Sequence, residues 1–215
     1  MTGTTARARS AATTSDWCSV LRRTVQDLHE LDRELFNRAA GWHTPVLDAV
    51  LPRLSRAADH SKLWIGLSVP IDLTGPRGRR AAVRGLASLG VASAVTNIAA
   101  KLVFRRPRPE LARVPRIRRI RKQPVSSSFP SGHSASAAAF ATGVALELPA
   151  LGIPVGALAA AVAYSRVHTG VHYPGDVLAG VAIGTGLALA GRTLFPAQRT
   201  TTPETSSSAG QPTSR

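Results

Sequence analysis

The sequence is poor in several things, and each shortage excludes a class of protein. Cys18 is its one cysteine, so it can form neither an intrachain disulfide nor a cysteine metal site. Aromatic residues make up only 5% of the chain, and its apolar fraction is carried by Ala, Leu, Val and Gly. Such small residues suit helices packed at close range, as in membranes. Acids are scarce: 12 Asp and Glu stand against 27 Lys and Arg, for a net charge of +15. No group of Asp and Glu is dense enough to suggest a metal centre. The first fifteen residues contain no apolar stretch, so no signal peptide is expected there. There is no internal repeat.

The charge and hydropathy that are present are unevenly spread. Mean hydropathy is +0.03, which is low for a membrane protein. Two polar tails and one Arg-rich loop lower that average. Ten of the 27 basic residues fall within Lys101–Lys122, where Glu110 is the only acid. Such a cluster suits nucleic acid, anionic lipid head groups or phosphorylated substrates.

Residues 1–15 are expected to form a disordered arm and 197–215 a disordered tail, leaving 16–196 as the functional domain. From Trp17 to Ala40 apolar residues recur at helical spacing, with charged residues such as Arg22, Asp27, Glu30 and Arg33 between them. This predicts an amphipathic helix rather than a spanning one, and Thr44–Ala57 predicts a second, shorter one. Trp42 and Trp64 suit a membrane interface. Leu63–Leu73 is apolar but short and contains Asp72. Ala81–Phe104 has the length to span a bilayer, which takes about 20 residues. After an Arg- and Pro-rich loop, Ser131–Leu148, Leu151–Tyr164 and Val177–Phe195 are further helices. The last carries Gly180-x3-Gly184, a close-packing pattern. The expected fold class is all-α: an integral membrane bundle of four to five spanning helices, with amphipathic helices at its N-terminal end.

Three polar clusters punctuate these helices. Lys101–Pro109 ends one apolar segment, Ser126–His133 opens the next, and Ser165–Asp176 joins the last two. The second and third clusters sit at the ends of a hydrophobic hairpin, which brings them to one side. A phosphoester under attack needs fixed donors for its oxygens. Lys101, Arg108 and Arg166 can supply cations, and a guanidinium matches phosphate as a planar fork. Ser131, Gly132 and His133 follow Pro130 at a helix start, where free N–H groups favour an anion. Gly132 lets the backbone come close to it. His172 and Asp176 are four apart, separated by Pro174 and Gly175 at another helix start. Asp176 can then accept from one imidazole nitrogen and leave the other free to attack. His133 can donate a proton to the leaving alkoxide.

Together these motifs resemble the type 2 phosphatidic acid phosphatase family, which shares its site with vanadium-dependent haloperoxidases and bacterial acid phosphatases. The family pattern is Lys-x6-Arg-Pro, then Pro-Ser-Gly-His, then Ser-Arg-x5-His-x3-Asp. Here Lys101…Arg108-Pro109, Pro130-Ser131-Gly132-His133 and Ser165-Arg166…His172…Asp176 match it in order. One such motif is weak evidence; three at suitable spacing are specific. The resemblance covers roughly Leu28 to Phe195. It implies a phosphohistidine on His172, oriented by Asp176, with His133 as general acid. It also implies phosphoryl binding by Lys101, Arg108, Ser131, Gly132 and Arg166, with no metal and no cofactor. A lipid phosphate is the implied substrate, and a multi-pass position in the cell (plasma) membrane the implied location. Many family members have six spanning helices, so the chain departs from the family at its N-terminal end.

Two other classes compete. A soluble acid phosphatase or haloperoxidase-type enzyme would use the same residues, but the long hydrophobic helices speak against it. A basic nucleic-acid-binding protein has the Arg loop as its only support, and no nucleic-acid partner is expected. Arg113–Lys122 fits either a lipid-phosphate contact or a solvated basic loop. A hydrogen-bonding role in its loop is expected for His168, and a surface position for His29, His43 and His60. The positive-inside rule favours a cytoplasmic catalytic face, whereas the resemblance favours an extracytoplasmic one.

Overall fold

The computed structural model of the protein describes residues 4–42, 44–100, 105–120 and 126–193, with side chains from residue 17 onward except 99 and 100. Lys101, His43 and the expected tail 197–215 lie outside the described residues. Among those described, every regular element is helical. The helices are α1 (Thr4–Gly41), α2 (Pro45–Ala57), α3 (Lys62–Asp72), α4 (Pro76–Ala94), α5 (Gly132–Glu147), α6 (Pro149–His168) and α7 (Pro174–Ala190). A π-helical turn, Val95–Ala100, extends α4.

Proline sets several of these starts. Pro45, Pro76, Pro149 and Pro174 stand in the first turn of α2, α4, α6 and α7, where a missing N–H costs no hydrogen bond. α1 begins at Thr4, well before Trp17, so the helix includes residues expected to form an arm. That stretch has no apolar periodicity to announce a helix, but it holds neither Pro nor Gly to prevent one.

α5 is the central helix, packed by α4, α6 and α7. Ser134–Ala141, Gly143 and Val144 are all buried, which a helix mostly of Ala, Ser and Gly allows because Phe140 is the one large side chain in that stretch. Its neighbours approach through glycine. A Cβ at Gly143 would lie 2.9 Å from Gly85 Cα of α4. Cβ atoms at Gly180 and Gly184 of α7 would lie 2.4 Å from Ser131 O and 2.1 Å from Ala135 O. The Gly180-x3-Gly184 pattern is thus the face that α7 presses onto α5. Trp64 is only 1% exposed, its ring 5.1 Å from that of Phe140, so it is a core residue and not the interface residue expected. α3 packs against α4 and turns that side chain inward.

Among the described residues, three helices are long and apolar enough to cross a membrane: Pro76–Ile98, Pro149–His168 and Pro174–Thr193. α5 has 16 residues and α3 has 11, both short of the roughly 20 that a span takes. Trp17, Leu21, Val25, Leu28, Leu31 and Leu35 of α1 are exposed, while Asp32 and Phe36 are buried. The successive helices α4 to α7 alternate in direction. The end of α4, the start of α5, the end of α6 and the start of α7 therefore share one level. At the opposite level Arg84 pairs with Glu147 at 2.6 Å.

The α5–α7 contact yields a stability prediction. Gly184→Leu should destabilise the detergent-solubilised protein by about 1–3 kcal/mol or more, because backbone atoms cannot yield. Gly186→Leu, with nothing within 4 Å of its Cβ position, should melt close to the parent. Equal melting of the two variants would reject the close-packing role.

Candidate active site

The three polar clusters meet, and backbone hydrogen bonds join them. Ser131 N donates to Asp176 O at 2.9 Å, and Ser128 N donates to Arg106 O at 2.9 Å. Arg106 N donates to Ser127 Oγ at 3.1 Å.

His172 lies between α6 and α7, and its ring is buried. Its Nδ1 is 2.7 Å from Ser128 O. A carbonyl only accepts, so Nδ1 carries the hydrogen and Nε2 keeps its lone pair. Nε2 lies 3.5 Å from Arg108 Nη1. Burial pushes the imidazole down to about 4, so it is neutral near pH 7. Asp176 Oδ2 is 3.6 Å from Nδ1, beyond a normal hydrogen bond. The Ser128 carbonyl thus takes the orienting hydrogen bond expected of Asp176, whose carboxylate stands beside the ring as a charge.

Asp176 is fully buried and densely held. Oδ2 accepts from Tyr173 N at 2.9 Å and from Ser128 Oγ, and Oδ1 from Arg106 Nη1 at 2.6 Å. The Tyr173 contact is the return bond of a helix-start capping box, which follows from Asp176 being the third residue of α7. Arg106 also donates to Asp32 Oδ2 at 2.6 Å, and Asp32 Oδ1 accepts from Gly175 N at 2.7 Å. The Arg106 guanidinium sits 4.5 Å over the Tyr173 ring. Sequence reasoning missed Asp32, Arg106 and Ser128. A faint signal existed for Asp32, which stands one turn before the apolar Phe36.

Arg108 is held by carbonyls, donating to Val171 O at 2.9 Å, Ser126 O at 3.0 Å and Ser127 O at 3.2 Å. Buried Arg166 donates from Nη1 to Ser55 Oγ, and its Nε has no partner among the described residues. His133 Nε2 is 2.9 Å from Asp59 Oδ1, a contact the sequence did not suggest. Arg108, Gly132, His133, Arg166 and His172 line one cavity of about 330 Å³, together with Asp59 and Asn97. Ser131 is not on its wall. That side chain is buried and caps α5 by accepting from Ser134 N. A larger, apolar cavity of about 590 Å³ lies between α1 and α7, beyond the Arg106–Asp32 pair, and contains none of the motif histidines.

The Arg loop divides in its roles. Arg118 is fully buried, pairs with Asp48 at 2.6 Å and donates to Ala40 O at 3.1 Å. It is a structural tie between the loop and α1 and α2, neither a lipid contact nor a solvated charge. His168 Nε2 is 2.9 Å from the same Asp48, so its partner is on α2 and not in its own loop. Arg113 donates to Asn37 Oδ1 at 3.0 Å, and Arg119 to Val114 O at 2.8 Å.

Removing Arg106 should be costly. Arg106→Ala strands the carboxylates of Asp32 and Asp176 in the interior and should destabilise the protein by about 3–5 kcal/mol. Denaturant melts in detergent measure this, and an unchanged midpoint would reject the clamp.

Comparison with known proteins agrees with this geometry. Residues 81–200 match the model of the PAP2 superfamily. Decaprenylphosphoryl-5-phosphoribose phosphatase of Mycobacterium tuberculosis is 38% identical over 142 residues, covering 65% of this chain and 76% of that protein. Undecaprenyl-diphosphatase BcrC of Bacillus subtilis is 28% identical over 155 residues, covering 71% and 78%. Among solved structures, the transmembrane PAP2 type phosphatidylglycerolphosphate phosphatase from Bacillus subtilis superposes with a TM-score of 0.60 and 25% identity, over 78% of this chain and 86% of that one. With three ordered motifs on one cavity and a family match over more than half its length, this chain belongs to the PAP2 superfamily.

Proposed function

We propose that the chain is a membrane hydrolase that removes phosphate from a phosphomonoester or pyrophosphate carried on a lipid, through a phosphohistidine on His172. The observation that carries this reading is the His172 ring, with Nδ1–H bound to Ser128 O and Nε2 turned to the cavity beside Arg108. The Nε2 lone pair attacks phosphorus, the P–O bond to the leaving group breaks, and His133 gives that oxygen a proton. Water then attacks the phosphohistidine and passes a proton to His133. The P–N bond breaks, phosphate leaves, and Nε2 regains its lone pair. Asp176 stabilises the positive ring that exists while Nε2 carries the phosphoryl group. Lys101, Arg108 and Arg166 hold the non-bridging oxygens, with Arg166 Nε offering an unused donor. Gly132 contributes the open backbone at the start of α5, and Ser131 fixes that helix start. The positive charge that meets the phosphoryl group is carried by Lys101, Arg108 and Arg166, and no step of the scheme calls on a metal or a cofactor.

The named relatives are phosphatases of decaprenylphosphoryl-5-phosphoribose, undecaprenyl diphosphate and phosphatidylglycerolphosphate, different molecules that are all lipid-linked phosphates. A lipid fits because its tail can remain among the apolar helices while its head group reaches the cavity. Residues 16–196 form the domain that carries the activity, in the plasma membrane.

The test is phosphate release by detergent-purified protein with EDTA present. Phosphatidate, phosphatidylglycerol phosphate, undecaprenyl pyrophosphate, a polyprenyl-phosphoryl sugar phosphate and a soluble aryl phosphate make up the panel. Release should survive EDTA and be inhibited by orthovanadate. His172→Ala should lower it by more than about 10³-fold, as loss of a nucleophile does. Asp176→Asn should lower it by about 10²-fold or more. Undiminished release by His172→Ala would reject the mechanism.

A further inference from the structure

We propose that Asp59 is a positioning residue for His133, forming a second carboxylate–histidine pair that serves the proton transfers of the reaction. The inference rests on the role given to His133 above and adds a residue that no motif contains.

Asp59 lies in the tight turn Asp59–Ser61 between α2 and α3. Its Oδ1 is 2.9 Å from His133 Nε2. A carboxylate only accepts, so Nε2 carries a hydrogen and Nδ1 is the nitrogen left to exchange protons with substrate. The following residues, His60 (φ 55) and Ser61 (φ 60), both adopt the left-handed conformation that side chains other than glycine rarely take. Such backbone concentrates where a structure holds functional groups in place. Here it delivers Asp59 to the cavity wall.

The charge pattern argues the same way. Asp59 is the only acid lining the cavity among the described residues. A carboxylate there opposes phosphate binding, so it is no phosphate ligand. Its hydrogen bond with His133 holds its carboxyl below the usual range, so it is an anion near pH 7. The groups around it are His133 on α5, Arg166 on α6, His60 in its own turn, and Arg108 and His172 on the loops. All the others are cationic or neutral. Burial lowers the His133 imidazole below its ordinary value, and Asp59 is the group that works against that shift and favours the protonated ring. The Asp59 side chain is 43% exposed, so its ion pair contributes little to stability. In the chemical step His133 Nδ1–H protonates the leaving oxygen as the P–O bond breaks. Nδ1 then takes a proton from the attacking water, while Nε2–H remains on Asp59 throughout.

The test uses full-length protein in detergent with two aryl phosphates, p-nitrophenyl phosphate and phenyl phosphate. The p-nitrophenolate leaves readily without a proton; phenolate needs one far more. In Asp59→Asn the ratio of kcat/KM for p-nitrophenyl over phenyl phosphate should rise at least about fivefold, within the range of general acid effects. The basic limb of the phenyl phosphate pH profile should move to lower pH, because His133 loses its proton sooner. Asp59→Glu should restore part of the ratio. In a His133→Ala background, Asp59→Asn should change nothing further. An unchanged ratio and pH limb, or an equal loss on both substrates, would overturn the proposal. So would a full additional loss in the His133→Ala background. If Asp59→Asn fails to fold, as judged by its melt, Asp59→Glu is read on the same ratio and limb, and parent-like values overturn the proposal. A parent that releases no phosphate, or that does not depend on His172, removes the reading of the site and this inference with it. A His172-dependent parent with an unmoved ratio removes the inference alone.

Discussion

One backbone hydrogen bond, from Ser131 N to Asp176 O at 2.9 Å, ties the start of α5 to the start of α7. The site depends on that tie. His133 follows one end of it by two residues, and His172 precedes the other by four. The bond can form only because Gly180 and Gly184 bring the α7 backbone against Ser131 O and Ala135 O. Any side chain at either position would part the helices and carry the two histidines away from each other. Displacements on the order of 1 Å already matter to a transfer that needs nucleophile, phosphorus and acid in line. Packing and chemistry thus rest on the same contact.

The positive charge of the chain is organised in two ways. Arg106 and Arg118 meet buried carboxylates, Asp32 and Asp176 for the first and Asp48 for the second, and Arg84 meets the partly buried Glu147. Buried pairs of this kind add little net stability but are costly to break, so they hold loops and helix ends in register. Arg108 and Arg166 are different. Their hydrogen bonds go to carbonyls and serine hydroxyls, which orient the guanidinium without cancelling its charge. That uncancelled charge beside His172 is what an incoming phosphate would meet. The same distinction explains the Arg loop. Arg118 is spent on the fold, while Arg108, ten residues earlier, faces the cavity.

α1 connects the outer surface to the centre of the site. Most of its apolar residues are exposed, but Asp32 and Phe36 turn inward. Phe36 packs edge-on against Tyr173 at 5.6 Å, and Asp32 grips both Arg106 and the N–H of Gly175. An amphipathic helix at the rim thereby braces the loop that carries His172. Its helical period was legible in the sequence, and so were the all-α class and the three motifs. The inward turn of Asp32 was not, because it depends on where α1 lies against the bundle.

What the sequence determined by itself is local and repetitive. Residue periodicity and proline position set the helices, and motif spacing put His133, Arg166, His172 and Asp176 at helix ends. A hairpin of apolar helices then required those ends to meet. Only the tertiary structure decided which group does what at the meeting point. It gave the His172 hydrogen to Ser128 O instead of Asp176, made Ser131 a buried cap, turned Trp64 into the core and brought Asp59 to His133 from a turn 74 residues away. The physical reason is that hydrogen-bond partners are chosen at ångström scale between remote segments, and sequence spacing fixes distances only along one helix.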